Sequence, residues 1–373
     1  MKSVPTIDEK YMWQALELAR LGLGKTSPNP MVGAVIVKGE RVIGRGYHHV
    51  IGGDHAEVDA IKHATEDVTG STMYVTLEPC THHGKTPPCV EAIVSHKFQR
   101  VVMGMPDPDE RVSGRSIEIL EKAGIETRVG VLEEECRALN ETYIRHRNTG
   151  LPFVTVKFAQ SLDGRIATST GDSRWISSPA SRKKAHLMRA RHDAILVGVG
   201  TVLIDNPELT VRLTRGRNPK RIVLDSKLRV PLDANVLADQ ESAPTIVVTT
   251  TAADKAKAAA LAEKGIEVLT VPAGGNGGID LPALLKRLGE RDITSLMVEG
   301  GARIITSFLR QGLADRLVVF IAPRLIGRGT AAIGDLNITE ISKAARLTFG
   351  KTCRSGIDLV IEARVETTGY GKV

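Results

Sequence analysis

HAEVDAIKHATEDVTGSTMYVTLEPCTHHGKTPPC, residues 55–89, decides how the first part of this chain folds. It opens with His55-Ala56-Glu57 at the head of a helical pattern, then passes through a strand from Thr72 to Leu77. A loop follows and delivers Cys89 to the start of another helix, with Pro88 near its first turn, where proline has no needed N–H to lose. His55, Cys80 and Cys89 are the donor set of a tetrahedral zinc that keeps its fourth position for water. Glu57 is displaced around the helix from His55, so its carboxylate can move protons for that water without binding the ion. His55 and Cys89 both stand at helix starts, where the dipole favours thiolate over thiol.

The competing reading is a closed structural zinc with His82 or His83 as fourth ligand. A purely structural ion has no use for Glu57, and the long loop between the cysteines is loose for a closed knuckle. Cys136 and Cys353 read as small core residues. His63 and His96 read as ordinary helix positions.

Working outward, Asp8 is positioned to cap a first helix whose Tyr11, Met12, Ala15, Leu16, Leu18 and Ala19 form an apolar stripe. The two prolines of Lys25-Thr26-Ser27-Pro28-Asn29-Pro30 force a turn. Strands Val32 to Val37 and Val42 to Tyr47 make a hairpin, and Asp54 can cap the helix that begins near His55. Strand Arg100 to Met103, a helix around Ser116 to Ala123, strand Glu126 to Val129 and a helix from Glu133 complete the series. Such alternation predicts a three-layer α/β/α sandwich over residues 1–147.

Asn148-Thr149-Gly150-Leu151-Pro152 is a turn-forming boundary, and a second α/β domain is expected over 148–373. Its strands are predicted at Phe153 to Ala159, Ala194 to Gly198, Arg221 to Leu224, Thr245 to Thr249, Ile266 to Val271, Ser295 to Val298, Arg316 to Ile321 and Leu359 to Val365. Helices are predicted at Pro179 to Arg191, Asp254 to Lys264, Leu281 to Leu288 and Ala302 to Gln311. Glu299-Gly300-Gly301 sits between strand and helix, where cofactor phosphates commonly rest.

The 373 residues, 42% hydrophobic and 25% charged, describe an ordinary globular protein of two domains. No apolar run is long enough for a membrane helix, and Asp8, Glu9 and Glu17 argue against a signal peptide. Four cysteines make no disulfide framework, so a reducing cytoplasm is expected. Residues 1–150 hold 18 Lys and Arg against 21 Asp and Glu, whereas the remainder holds 32 against 22. The basic second part suits a phosphorylated ligand. A nucleic-acid deaminase would want stacking aromatics along a basic channel, but aromatics total 3% and the excess charge is dispersed.

The order His-x-Glu, Pro-Cys and a second Cys is shared by zinc deaminases, usually with two residues between the cysteines. Here there are eight. With that long gap, Leu77 to Cys89 resembles the bifunctional riboflavin-biosynthesis deaminase–reductase family, as do Ser27-Pro28-Asn29-Pro30, Gly46-Tyr47-His48 and His55-Ala56-Glu57. Downstream, KFAQSLDGRIA (Lys157 to Ala167), Gly171-Asp172-Ser173, Trp175-Ile176, Leu187-Met188-Arg189, Asp205-Asn206-Pro207 and Leu209 to Arg212 resemble its reductase part. Asp54 stands where many relatives carry proline, a change that touches the helix cap and not the ligands.

The resemblance implies a cytidine-deaminase-like sandwich followed by a dihydrofolate-reductase-like α/β domain. The first would remove the 2-amino group of 2,5-diamino-6-(5-phosphoribosylamino)pyrimidin-4-one. The second would reduce the ribosyl group of 5-amino-6-(5-phosphoribosylamino)uracil to ribityl with NADPH. By matching position, one zinc per chain would sit on His55, Cys80 and Cys89, with Glu57 as proton shuttle. Asn29, His48 and Lys85 would contact the first substrate. Ala159, Trp175, Thr201, Asp205, Ser226 and the segment from Gly301 would contact NADPH. Ser173, Arg189, Leu209, Arg212 and Glu299 would contact the second substrate. Lys157 and Asp163 are candidates for polarising the opened sugar. The implied partners are a phosphorylated pyrimidine and further copies of the chain, with neither nucleic acid nor membrane.

Overall fold

Thr6 starts helix α1 (Ile7–Ala19) through a capping box: its hydroxyl accepts from the Glu9 amide, and the Glu9 carboxylate accepts from the Thr6 amide. Asp8, the cap expected from sequence, lies inside the helix instead. Its carboxylate accepts from Arg100 at 3.0 Å, Arg128 at 2.6 Å and the Tyr74 hydroxyl at 2.9 Å. A cap needs the extended backbone that Thr6 has, and Asp8 is free to tie α1 to the sheet. The computed structural model describes residues 4–81, 87–109, 112–275 and 277–366.

Strands β1 (Gly33–Lys38) and β2 (Arg41–Tyr47) form the expected hairpin. There follow α2 (Ala56–Lys62), β3 (Thr72–Val75), α3 (Cys89–Ser95), β4 (Arg100–Met103), α4 (Arg115–Lys122), β5 (Glu126–Val129), α5 (Glu133–Leu139) and α6 (Glu141–Thr149). The sheet order is β2-β1-β3-β4-β5, with β3, β4 and β5 parallel. Strand alternation divides the core between two faces. Ala34 and Ile36 pack with Ala60, Ile93 and Leu120 from α2, α3 and α4. Val35 and Val37 pack with Met12, Leu16, Cys136 and Tyr143 from α1, α5 and α6. Helices on both faces make the three-layer sandwich.

Gly46 of β2 positions α2. A Cβ there would stand 2.2 Å from the Ala60 amide nitrogen and 2.4 Å from the Ala56 carbonyl oxygen. The helix carrying Glu57 can lie this close to the sheet only because that Cβ is missing. Asp54, expected as its cap, pairs with Lys62 at 2.6 Å, and His55 occupies the N-cap position.

The chain divides between Gly150 and Leu151 into two compact units. The expected boundary after residue 147 falls in the last turn of α6, which ends where Gly150 adopts φ +69°.

The second unit begins with β6 (Phe153–Ser161), β7 (Arg165–Thr168), α7 (Pro179–Arg191), β8 (Ala194–Gly198), α8 (Val199–Asp205), β9 (Lys220–Leu224) and β10 (Thr245–Thr249). It continues through α9 (Lys255–Glu263), β11 (Glu267–Thr270), α10 (Leu281–Gly289), β12 (Ser295–Val298), α11 (Ala302–Arg310), β13 (Arg316–Ala322), β14 (Gly329–Ala331), β15 (Leu347–Ser355) and β16 (Asp358–Val365). The nine-stranded sheet runs β11-β10-β9-β8-β12-β6-β13-β16-β15, parallel as far as β13 and antiparallel at β16 and β15. Val156, Leu196, Ile222 and Val298 face Leu284, Leu288 and Phe308 of α10 and α11. Ile195, Val197, Val223 and Met297 face Val202 and Leu261 of α8 and α9. Burial on both faces explains why these strands read as unbroken apolar runs. No helix among the described residues is long and apolar enough to cross a membrane.

Candidate functional site

In the first unit, α2 and α3 bring their starts together. His55 Nδ1 lies 3.1 Å from Cys89 Sγ and 3.5 Å from Cys80 Sγ, and the three ligand atoms all fall within 4.8 Å of one another. Tetrahedral zinc with ordinary Zn–N and Zn–S bonds sets such N···S pairs about 3.6 Å apart. The donor set and spacing therefore fit the ion. The two thiols share one proton: Cys89, expected as a thiolate at its helix start, is instead held well above its ordinary value by pairing with Cys80 and by burial. The Cys80 thiol is drawn down to about 4, chiefly by hydrogen bonding from Cys89, with His55 and the Cys89 amide adding to it. Pairing with Cys80 raises His55 to about 9. A pocket that binds a proton between imidazole and thiolate offers both donors to a divalent cation, which releases the proton.

Glu57 lies at the same place, 3% exposed, and burial pushes its carboxyl up to about 7. A carboxyl poised near neutrality can both accept and return a proton. The cavity it lines measures about 220 Å³ and also exposes Asn29, His48, Glu78, Cys80, Asp107 and Tyr143. His48 Nδ1 donates to the Asp54 carbonyl at 2.9 Å, which leaves Nε2 to accept from the Asn29 amide at 3.2 Å. Burial lowers the His48 pKa, so the ring stays neutral. Asn29 keeps its oxygen and one amide hydrogen for a ligand.

The sequence did not single out Glu78 and Asp107. Glu78, three residues past β3, accepts from the Asp107 and Gly114 amides at 3.2 and 3.1 Å and from the Ser116 hydroxyl at 2.8 Å. It ties Asp107, Gly114 and Ser116 to one buried carboxylate on the cavity wall. Burial raises the Asp107 carboxyl to about 6, and Tyr143 donates to it at 3.1 Å. Lys85, His82 and His83 lie outside the described residues.

In the second unit a cavity of about 640 Å³ opens at the carboxyl ends of β6, β8 and β12, where open α/β sheets bind ligands. Ala159, Ser173, Trp175, Arg189, Thr201, Asp205, Leu209, Arg212 and Glu299 all line it. Ser226 and Gly301 do not. Ser226 follows β9, and Gly301 caps α11 within 3.7 Å (from an ideal Cβ) of the Thr201 hydroxyl.

Glu299 is the electrostatic centre of this cavity. Lys157 reaches one carboxylate oxygen at 2.8 Å, and Arg189 donates to the other through Nε and a terminal nitrogen at 2.9 and 2.7 Å. Burial would raise its pKa, but the two cations outweigh it and hold the carboxyl at about 2. Arg189 also donates to the Thr210 carbonyl, so it reaches the cavity already oriented. Arg212 pairs with Glu208 at 2.7 Å.

Leu209 is buried with φ +56°, a backbone region that leucine rarely occupies. Arg221, fully buried beneath it, donates to the Glu208 carbonyl at 3.3 Å and helps hold that turn. Asp163 points elsewhere than the sugar role considered for it. It accepts from Ser161 at 2.6 Å and the Gly327 amide at 2.7 Å, which hold its pKa at about 2. His186, absent from the expectations, also lines the cavity. Its position three residues before Arg189 on α7 was the available signal, since such residues share a helix face.

Residues 5–105 match the family described as cytidine and deoxycytidylate deaminase zinc-binding region, and residues 152–361 match the RibD C-terminal domain. The riboflavin biosynthesis protein RibD of Aquifex aeolicus is 49% identical over 356 residues, covering 95% of this chain and 98% of that protein. RibD of Escherichia coli is 38% identical, covering 95% and 98%. A solved Thermotoga maritima diaminohydroxyphosphoribosylaminopyrimidine deaminase/5-amino-6-(5-phosphoribosylamino)uracil reductase is 38% identical with a TM-score of 0.85, covering 96% of this chain and 99% of that one.

Proposed function

We infer the work of the two sites from one premise: the chain belongs to the family of the bifunctional riboflavin biosynthesis protein RibD. It is a zinc-dependent deaminase and an NADPH-dependent reductase acting on phosphorylated pyrimidines. The first reaction hydrolyses the 2-amino group from 2,5-diamino-6-(5-phosphoribosylamino)pyrimidin-4-one. The second reduces the ribosyl group of 5-amino-6-(5-phosphoribosylamino)uracil to ribityl.

His55, Cys80 and Cys89 hold the zinc, which when bound supplies the Lewis acidity that makes water nucleophilic near neutral pH. Asn29 and His48 hold the pyrimidine edge. Glu57 takes the proton of the attacking water and delivers it to the departing nitrogen, so a C–O bond replaces a C–N bond and ammonia leaves. Lys85 is assigned to that substrate's phosphate. NADPH supplies the hydride of the second step. Ala159, Trp175, Thr201, Asp205, Ser226 and Gly301 are assigned to it, and Ser173, Arg189, Leu209, Arg212 and Glu299 to the sugar phosphate. A preformed cavity of this kind lowers the barrier mainly by orienting the two reactants. Lys157, held by Glu299, is assigned to polarising the opened sugar.

The reading extends to a cytoplasmic homo-oligomer. Edge strand β15 supports the assembly, since it exposes Phe349 and Leu347 beside an unpaired backbone edge. Gel filtration with light scattering tests it.

The observation that carries the functional reading is the cluster of His55, Cys80 and Cys89 on one cavity with the buried Glu57. Supplying the diaminopyrimidine without NADPH should release ammonia, and NADPH added afterwards should then be oxidised as the deaminated product is reduced. NADPH consumption from the diaminopyrimidine with no ammonia released would contradict the order of the two steps.

A further inference from the structure

His186 sits on α7, is 7% exposed, and lines the reductase cavity. The Arg212 backbone amide donates to its Nδ1 at 2.9 Å. A ring nitrogen that accepts carries no proton, so in the neutral ring the hydrogen is on Nε2. No protein partner for Nε2 exists among the described residues. One ring nitrogen is thus anchored to the chain and the other is left as a donor on the wall of the cavity.

The charged groups facing the ring are Arg189, Arg212, Glu299 and Lys157. Five cationic side chains and three carboxylates line the cavity as a whole. Burial first, then Arg189 and Arg212, depress the imidazole to about 4, so it is a neutral donor throughout the physiological range. Both neighbouring guanidiniums are already engaged, Arg189 with Glu299 and Arg212 with Glu208. An anion arriving between them finds positive potential and, beyond the N–H groups that the two guanidiniums spend on protein acceptors, a set of uncommitted N–H groups. The His186 Nε2–H is one.

We propose that His186 is a specificity-determining residue of the reductase site, whose Nε2–H donates to a phosphate oxygen of the phosphorylated aminouracil. This rests on the reductase reading above and adds a substrate contact to it. The ring also couples phosphate binding to the 209–212 turn, because the same imidazole holds the Arg212 amide. Replacing an ammonium-type donor by a neutral one lets the subsite bind phosphate without adding a further buried cation beside Lys157 and Arg189.

Two variants separate donor from anchor. In His186→Asn the amide oxygen can stand near the Nδ1 position and keep the Arg212 amide paired, while the Nε2 donor is gone. In His186→Gln the amide nitrogen can reach the Nε2 position. For His186→Asn, KM for the phosphorylated aminouracil should rise about tenfold or more, the loss of one hydrogen bond to a charged acceptor, with kcat and the NADPH KM little changed. With the same aminouracil lacking its phosphate, wild type and His186→Asn should have equal KM. His186→Gln should return KM for the phosphorylated substrate most of the way to wild type. A rise in KM of equal size for both substrates would mean that the turn, and not the phosphate contact, depends on His186, and would overturn the proposal. A rise in NADPH KM instead would overturn it too, as would a His186→Gln variant as impaired as His186→Asn. Failure of the underlying reading shows earlier, in wild type: no NADPH oxidation with the phosphorylated aminouracil would sink the reductase assignment and the role of His186 together.

Discussion

Replacing Glu299 with Gln should destabilise the second unit at neutral pH and leave it nearly unaffected in strong acid. The substitution keeps the shape of the side chain and removes its charge, leaving Lys157 and Arg189 buried beside an amide. The folded carboxyl ionises near 2 against an ordinary value of 4.5. That difference corresponds to about 3 kcal/mol, close to the usual cost of orphaning a buried ion pair. Because the folded pKa is depressed, the stabilisation is complete above about pH 4.5 and is lost as pH falls through about 2. For a unit of this size, about 3 kcal/mol lowers the thermal midpoint by roughly 6–12 °C. Calorimetry of wild type with and without NADPH identifies the transition of the second unit as the one that the cofactor raises. The Glu299→Gln transition should lie below it at pH 7, and the gap should close on acidification. Coincident midpoints at pH 7, or a gap that persists unchanged at pH 2, would refute the claim that the carboxylate is held ionised by the two cations.

Glu57→Gln should abolish ammonia release while metal analysis still finds one zinc per chain; substantial residual turnover would remove Glu57 from the proton path. Cys89→Ser should lose zinc and ammonia release together while NADPH oxidation with supplied aminouracil persists, and a chelator should reproduce that pattern in wild type. Asp8→Asn should cost the first unit about 2–3 kcal/mol, since Arg100 and Arg128 lose a buried carboxylate, with part of the cost relieved by solvent at the half-exposed Arg128. Urea titration of ammonia release checks this, and an unchanged midpoint would show the network to be dispensable.

The two sites differ in how they are encoded, and the difference explains which parts the sequence disclosed. Metal chemistry restricts ligands to a few residue types, so His55, Cys80 and Cys89 stood out within one short stretch, and the helix starts that bring them together were marked by Pro88 and the break before Ala56. Strands such as Arg100–Met103 and Ser295–Val298 were legible because burial leaves an apolar run with sharp polar ends. Edge strand β15 was not, since a strand exposed along most of its length has neither alternation nor an apolar run. Asp8 misled for a different reason. An acidic residue near a helix start is a cap by local statistics, and its actual partners, Arg100 and Arg128, are distant in sequence. The reductase cavity compounds that difficulty. Glu299 lies at the end of β12, Lys157 on β6 and Arg189 on α7, so their mutual neutralisation follows from the strand order β8-β12-β6 and from no local pattern. Nine of the eleven residues that resemblance assigned to the reductase line the cavity, but resemblance did not disclose that Arg189 and Arg212 already have carboxylate partners. On the proposed reading, a phosphate meeting two guanidiniums that are already paired gains less from each than from a free one, so an oriented neutral donor adds to its recognition. The imidazole of His186, anchored by the Arg212 amide, is the neutral donor proposed for that role.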